Sequence, residues 1–106
     1  MKRKPYIEAI AKRYEEAVKV VDAKSQDYAR DEDPFYNFRL CETLEICSLE
    51  TGILVRMCDK VARLSRLINH AGAVADESIH DTLTDLSNYA TIMSVYLEDK
   101  NGNGNK

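Results

Sequence analysis

Between Asp76 and Tyr89 the chain carries Glu77, Asp81 and Asp85 at steps of four, with Asn88 three residues further on and no lysine or arginine between them. On a helix this spacing stacks the four side chains along one face. Like charges four residues apart cost roughly 0.2–0.5 kcal/mol per pair, so the line is unfavourable unless something positive lies against it. Hard cations such as Mg²⁺ or Mn²⁺ take oxygen ligands and keep several waters, which suits carboxylates projecting into a cleft. The competing reading is a solvated face, and Asp76 and Glu77 also suit the positive end of a helix dipole.

An earlier segment supplies the complementary charge. Arg56, Asp59, Lys60 and Arg63 fall at i, i+3, i+4 and i+7, a polar stripe in a strongly apolar stretch. Three cations beside a carboxylate can hold a phosphate chain, and Arg matches phosphate with two parallel hydrogen bonds. The same stripe can instead form an interhelical salt-bridge ladder with the acids. Further upstream, Lys24, Asp27, Tyr28, Asp33, Asn37 and Arg39 crowd one connection, where function often resides. Tyr28, Phe35 and Tyr36 there can stack on a base or plug the end of a bundle. Glu42 and Glu45 are helix-surface neighbours three apart. No GxSxG elbow, Walker loop or HExxH is present, and nucleophilic catalysis is disfavoured.

These groups must be positioned by helices. Pro5 opens a run in which Ile7, Ile10, Tyr14, Ala17, Val18 and Val21 recur at helical steps, predicting a helix over about 5–28. Pro34 sits in the polar connection that follows. A second helix is expected over about 38–49, with Thr51 and Gly52 as a break and new start. A third, over about 53–69, should bury Leu54, Met57, Cys58, Val61, Leu64 and Ile68. A fourth starts near Asp76 and should present Ile79, Leu83, Leu86, Ala90, Met93 and Leu97 to the core. Tyr89, Ile92 and Val95 lie off that stripe, apolar surplus that a homo-oligomer would bury. Residues 1–100 therefore read as one all-α, four-helix domain and 101–106 as a disordered tail.

Composition agrees with a globular protein: 106 residues, 44% hydrophobic, 31% charged, formal net charge −3. The interspersed charges give no footprint for duplex nucleic acid. No apolar run is long enough to span a membrane, and the basic start, Lys2 to Lys4, lacks the apolar core of a signal peptide. A cytoplasmic protein is expected. Cys41, Cys47 and Cys58 have no CxxC spacing and read as reduced core residues; with His70 and His80 they give no zinc pattern.

The stretches Lys24 to Tyr28, Asp33-Pro34 with Asn37 to Arg39, Arg56 to Lys60 with Arg63-Leu64, and Asp76-Glu77 through Asp81, Asp85-Leu86 and Asn88-Tyr89 form an ordered series. Together they resemble the phage and bacterial nucleotide-modification-associated domain, a relative of the MazG-like all-α nucleoside triphosphate pyrophosphohydrolases. The resemblance implies an oligomeric MazG-like bundle in the bacterial host cytoplasm. It also implies Mg²⁺, held by an ExxE and a later ExxD pair, that activates water to cut between the α- and β-phosphates. Glu42 and Glu45 match ExxE; the spacing of four from Glu77 to Asp81 to Asp85 departs from ExxD.

Carried onto this chain, the resemblance implies catalytic Glu45, Asp81 and Asp85, and metal ligands Glu42, Glu45, Glu77, Asp81 and Asp85. Nucleotide contacts fall to Lys24, Asp27, Tyr28, Asn37, Arg39, Arg56, Asp59, Lys60, Arg63 and Asn88. The departure weighs against catalysis more than against binding, since a displaced carboxylate can coordinate metal yet fail to position the attacking water. Three functions stay open: a Mg²⁺-dependent pyrophosphohydrolase, a non-catalytic binder that sequesters a nucleotide or a nucleotide-derived immune signal, and a helical adaptor.

Overall fold

The architecture follows from two long helices packed on each other and a third that meets one of them along part of its length. The computed structural model describes residues 1–28, 32–70 and 72–104, with Tyr28, Ala73, Asn103 and Gly104 described by their backbone alone. In chain order the elements are α1 (Arg3–Tyr28), a 3₁₀ turn (Tyr36–Phe38), α2 (Leu40–Thr43), α3 (Leu49–Leu67) and α4 (Ala73–Gly104). No β-strand occurs among the described residues, so the all-α expectation holds. Ala29 to Asp31, where the expected connection begins, lie outside the described residues, as do Ala71, Asn105 and Lys106. No described helix is long and apolar enough to cross a membrane.

The core is small: Phe35, Leu49, Ile53 and Tyr96, with Phe38, Met57, Tyr89, Ile92 and Met93 packed around it. Phe35 meets Tyr96 edge-on at 5.2 Å and Phe38 meets Tyr89 at 6.3 Å, the geometry that ring quadrupoles favour. Of the two options for the loop aromatics, Phe35 plugs the bundle end while Tyr36 stays exposed. Asp33 fixes this segment. It accepts from the Phe35 amide at 3.1 Å and, through both oxygens, from Arg39 Nε at 2.6 Å and a terminal guanidinium nitrogen at 3.2 Å.

The expected second helix is instead split. After one turn, α2 ends with Glu45 in the left-handed region at φ 59°. There Ile46 N–H donates to the Cys41 carbonyl at 2.9 Å and Glu45 N–H to the Glu42 carbonyl at 3.0 Å. That paired pattern is a Schellman stop, usually built on glycine. The chain then restarts four residues earlier than expected. Ser48 Oγ accepts from Thr51 N–H at 3.1 Å, and Glu42 Oε2 accepts from Leu49 N–H at 3.2 Å, so two donors at the head of α3 are capped.

The inward faces also differ from expectation. On α3 the buried line is Leu49, Ile53 and Leu64, whereas Leu54, Cys58, Val61 and Ile68 are exposed, Val61 at 55% and Ile68 at 67%. On α4, Tyr89, Ile92 and Tyr96 turn inward in place of Leu83, Ala90 and Leu97. The surplus apolar residues of α4 are thus partly its core face. Its end runs on through Asn101–Gly104, where a tail was expected, anchored one residue earlier by Lys100 on Glu50 at 3.3 Å. Along α1, Ala17 is buried but Ile7, Tyr14 and Val18 are at least half exposed.

Candidate functional site

A cavity of about 310 Å³ opens where the C-terminal part of α1, the Pro34–Phe38 segment, α3 and α4 meet. α1 contributes Val21, Lys24 and Ser25; the segment after Pro34 contributes Asn37 and Phe38; α3 gives Arg56; α4 gives Asp85, Asn88, Tyr89 and Ile92. Two aromatic rings and two aliphatic side chains make flat apolar walls. Two amides, a hydroxyl and charged groups line the rest. Such a mixture suits a ligand with a planar ring and polar edges.

The polar groups are held from several elements. Asn88 Nδ2 donates to the carbonyl of Ala17 at 3.1 Å and so ties α4 to α1. Asp85 stands between two lysines, receiving Lys24 Nζ on Oδ1 at 2.9 Å and Lys60 Nζ on Oδ2 at 3.0 Å. Burial disfavours its charged form, but the hydrogen bonds from the two lysines outweigh that and hold the carboxyl below its ordinary range. The Arg56 guanidinium lies 4.8 Å from the centre of the Phe38 ring, a cation–π contact.

Beside the cavity runs a basic groove lined by Arg56, Asp59, Lys60, Arg63, Arg66 and Tyr89. Four cations against one carboxylate gather here on a chain whose net charge is −3. Arg56 and Tyr89 belong to both linings, so the apolar cavity and the cationic groove lie side by side. A groove of this kind attracts anionic groups and raises their local concentration.

The residues expected to act together separate into groups. Lys24, Asn37, Arg56 and Asn88 meet at the cavity, and Arg56, Asp59, Lys60 and Arg63 along the groove. Arg39 is committed to Asp33, whose carboxyl it holds below the ordinary range, and its own charge is reinforced in return. Asp27 is exposed, and the side chain of Tyr28 lies outside the described residues.

Of the carboxylates, Asp85 reaches the cavity, while Glu77 and Asp81 are exposed on α4. A step of four overshoots one helical turn, so a line so spaced drifts around the helix. Glu42 caps α3 and Glu45 sits exposed at the left-handed stop. Among the described residues, no three His, Cys, Asp or Glu side chains come together as metal ligands. The donor set as arranged does not fit a Mg²⁺ cluster: both oxygens of Asp85 are on lysines and one oxygen of Glu42 is on a backbone amide.

Ser25, Pro34, Phe38, Tyr89, Ile92 and Arg66 also line the site, and the sequence reading passed them over as site residues. Tyr89 and Ile92 carried a signal in their position off the α4 stripe, one and two turns beyond Asp85. Arg66, three residues after Arg63, continues the cationic stripe. No family model, curated protein or solved structure matches the chain.

Proposed function

We propose that the protein binds a nucleotide, or a nucleotide-derived signal, with the base in the cavity and the phosphates along the basic groove. The observation that supports this reading is the adjacency of the two, which share Arg56 and Tyr89 as wall residues. Tyr89 and Phe38 offer ring faces, the amides of Asn37 and Asn88 offer polar contacts at the edge, and Lys60, Arg63 and Arg66 offer phosphate contacts. The resemblance to the nucleotide-modification-associated domain leans the same way. Sequestration without turnover fits the arrangement better than hydrolysis, because the Asp85 carboxylate is engaged by Lys24 and Lys60 rather than grouped with other acids.

Self-association is part of the proposal. The chain exposes 8183 Å², whereas a folded monomer of 12.1 kDa is expected to expose about 6,000 Å². Much of the excess is apolar: Ile7, Tyr14 and Val18 on α1, and Leu54, Val61 and Ile68 on α3. A surplus of roughly 2,000 Å² per chain, about 4,000 Å² over two chains, falls in the range of obligate homodimer interfaces.

Calorimetry with nucleoside mono-, di- and triphosphates and cyclic dinucleotides, with and without Mg²⁺, tests the reading. The expected result is binding that weakens with added salt, falls about tenfold or more in Arg56→Ala and Arg63→Ala, and proceeds without release of monophosphate or pyrophosphate. Release of pyrophosphate dependent on Mg²⁺ would favour the pyrophosphohydrolase. No binding across the panel would leave the adaptor.

A further inference from the structure

Two of the three cysteines are arranged as a pair, and neither lines the cavity or the groove. Cys41 lies in α2 and Cys47 six residues later, in the turn before α3. Cys47 N–H donates to the Cys41 carbonyl at 3.3 Å. A backbone hydrogen bond between two residues keeps their Cα atoms close to the separation a disulfide spans, about 4.4–6.8 Å. The side chains converge as well. A Cβ built on Gly52 would stand 2.6 Å from Cys41 Sγ and 3.9 Å from Cys47 Sγ, so both sulfurs occupy the space in front of that glycine.

Gly52 has a reason to be there. Within a helix, glycine is less favourable than alanine, but here a methyl would press on the Cys41 sulfur. Cys41 in turn donates to the Phe38 carbonyl at 3.5 Å. The thiol pair therefore sits directly behind a residue of the cavity wall.

We propose that Cys41 and Cys47 form a reversible intrachain disulfide that staples α2 to the head of α3. With a peroxide as oxidant, the Cys41 sulfur takes one oxygen to become a sulfenic acid and one water leaves. The Cys47 sulfur then attacks the sulfenic sulfur, the S–O bond breaks, and hydroxyl departs with the Cys47 proton as a second water. Two electrons pass from the thiols to the peroxide, and a dithiol reductant returns them. Burial and the neighbouring Cys41 thiol raise the Cys47 thiol above its ordinary range, which makes Cys47 a poor first nucleophile for the peroxide. Cys58, exposed on α3, serves as an internal control.

The test uses the full-length protein treated with hydrogen peroxide, alkylated, digested and mapped by mass spectrometry. The expected product has lost two hydrogens per chain, carries a Cys41–Cys47 cross-link, and regains both alkylatable thiols after dithiothreitol. In Cys47→Ser the same treatment leaves a sulfenic acid at Cys41 that dimedone traps. Recovery of Cys41 and Cys47 both alkylated after peroxide, or cross-links made to Cys58 or between chains, would overturn the proposal. Nucleotide binding is not read in this experiment, so its outcome stands apart from the function proposed above.

Discussion

Asp85 is the residue at which the competing functions make opposite predictions. Its carboxylate separates Lys24 from Lys60, so Asp85→Asn leaves two half-shielded ammonium groups facing a neutral amide. The variant should lose about 1–2 kcal/mol of stability, between the worth of an exposed and a buried ion pair, measured by urea unfolding. It should also bind nucleotide more tightly, because Lys60 is released from Asp85 toward the groove. Weaker binding that requires Mg²⁺ would instead give Asp85 a role on the metal. The same carboxyl, with Asp33, sets an acid limit. Both are held below their ordinary value of 3.8 in the folded protein. Their contribution is thus complete above about pH 4 and is lost as pH falls through the lowered folded values. Urea midpoints should be flat from pH 7 to 5 and drop below 4, and the drop should shrink in Asp85→Asn. Glu45 gives a prediction of the other sign: at φ 59°, Glu45→Gly should gain about 1 kcal/mol by removing a strained side chain, read as a higher urea midpoint.

At the scale of the elements, helical periodicity made the three long helices legible, and it placed Lys24, Arg56, Lys60 and Asp85 on elements that do converge. What it missed has local causes. Thr51 and Gly52 looked like a break because glycine and a hydroxyl residue usually mark one. The glycine instead makes room for the Cys41 sulfur within α3, and the true stop is a glutamate in a glycine's conformation. The start of α3 is defined by Ser48, whose capping of Thr51 depends on a backbone turn that side-chain type alone leaves open. Ser48→Ala should cost about 1 kcal/mol, visible as a lower melting temperature with little change in helix content. On α4 the stripe was placed off the true inward face, because that helix is apolar on more than one side and Tyr96 and Tyr89, rather than Leu83 and Leu97, found partners in Phe35 and Phe38. The carboxylate line failed to converge for the geometric reason that steps of four do not close on a 3.6-residue turn.

At the scale of the whole molecule, the radius of gyration is 16.1 Å, against about 13 Å for a compact chain of this length. Long helices with uncovered apolar faces account for the difference, and light scattering should report a mass of at least two chains. Ile7→Asp and Val18→Asp, at positions 50% and 66% exposed, should reduce that mass while leaving helix content intact. The unequal packing also has a kinetic side. α3 and α4 are neighbours in sequence and form the most extensive contact, whereas α1 meets α4 more lightly. Contacts between sequence neighbours form early because little loop-closure entropy opposes them. The α3–α4 hairpin is therefore expected to form first and α1 to close over it last, secured by the Asn88 amide on the Ala17 carbonyl. Since Val21, Lys24 and Ser25 come from α1, the cavity exists only once that step is complete. Amide hydrogens along 17–25 should then exchange more slowly when nucleotide is present, with smaller change at the centre of α3, because a ligand that binds only the completed cavity also holds α1 closed.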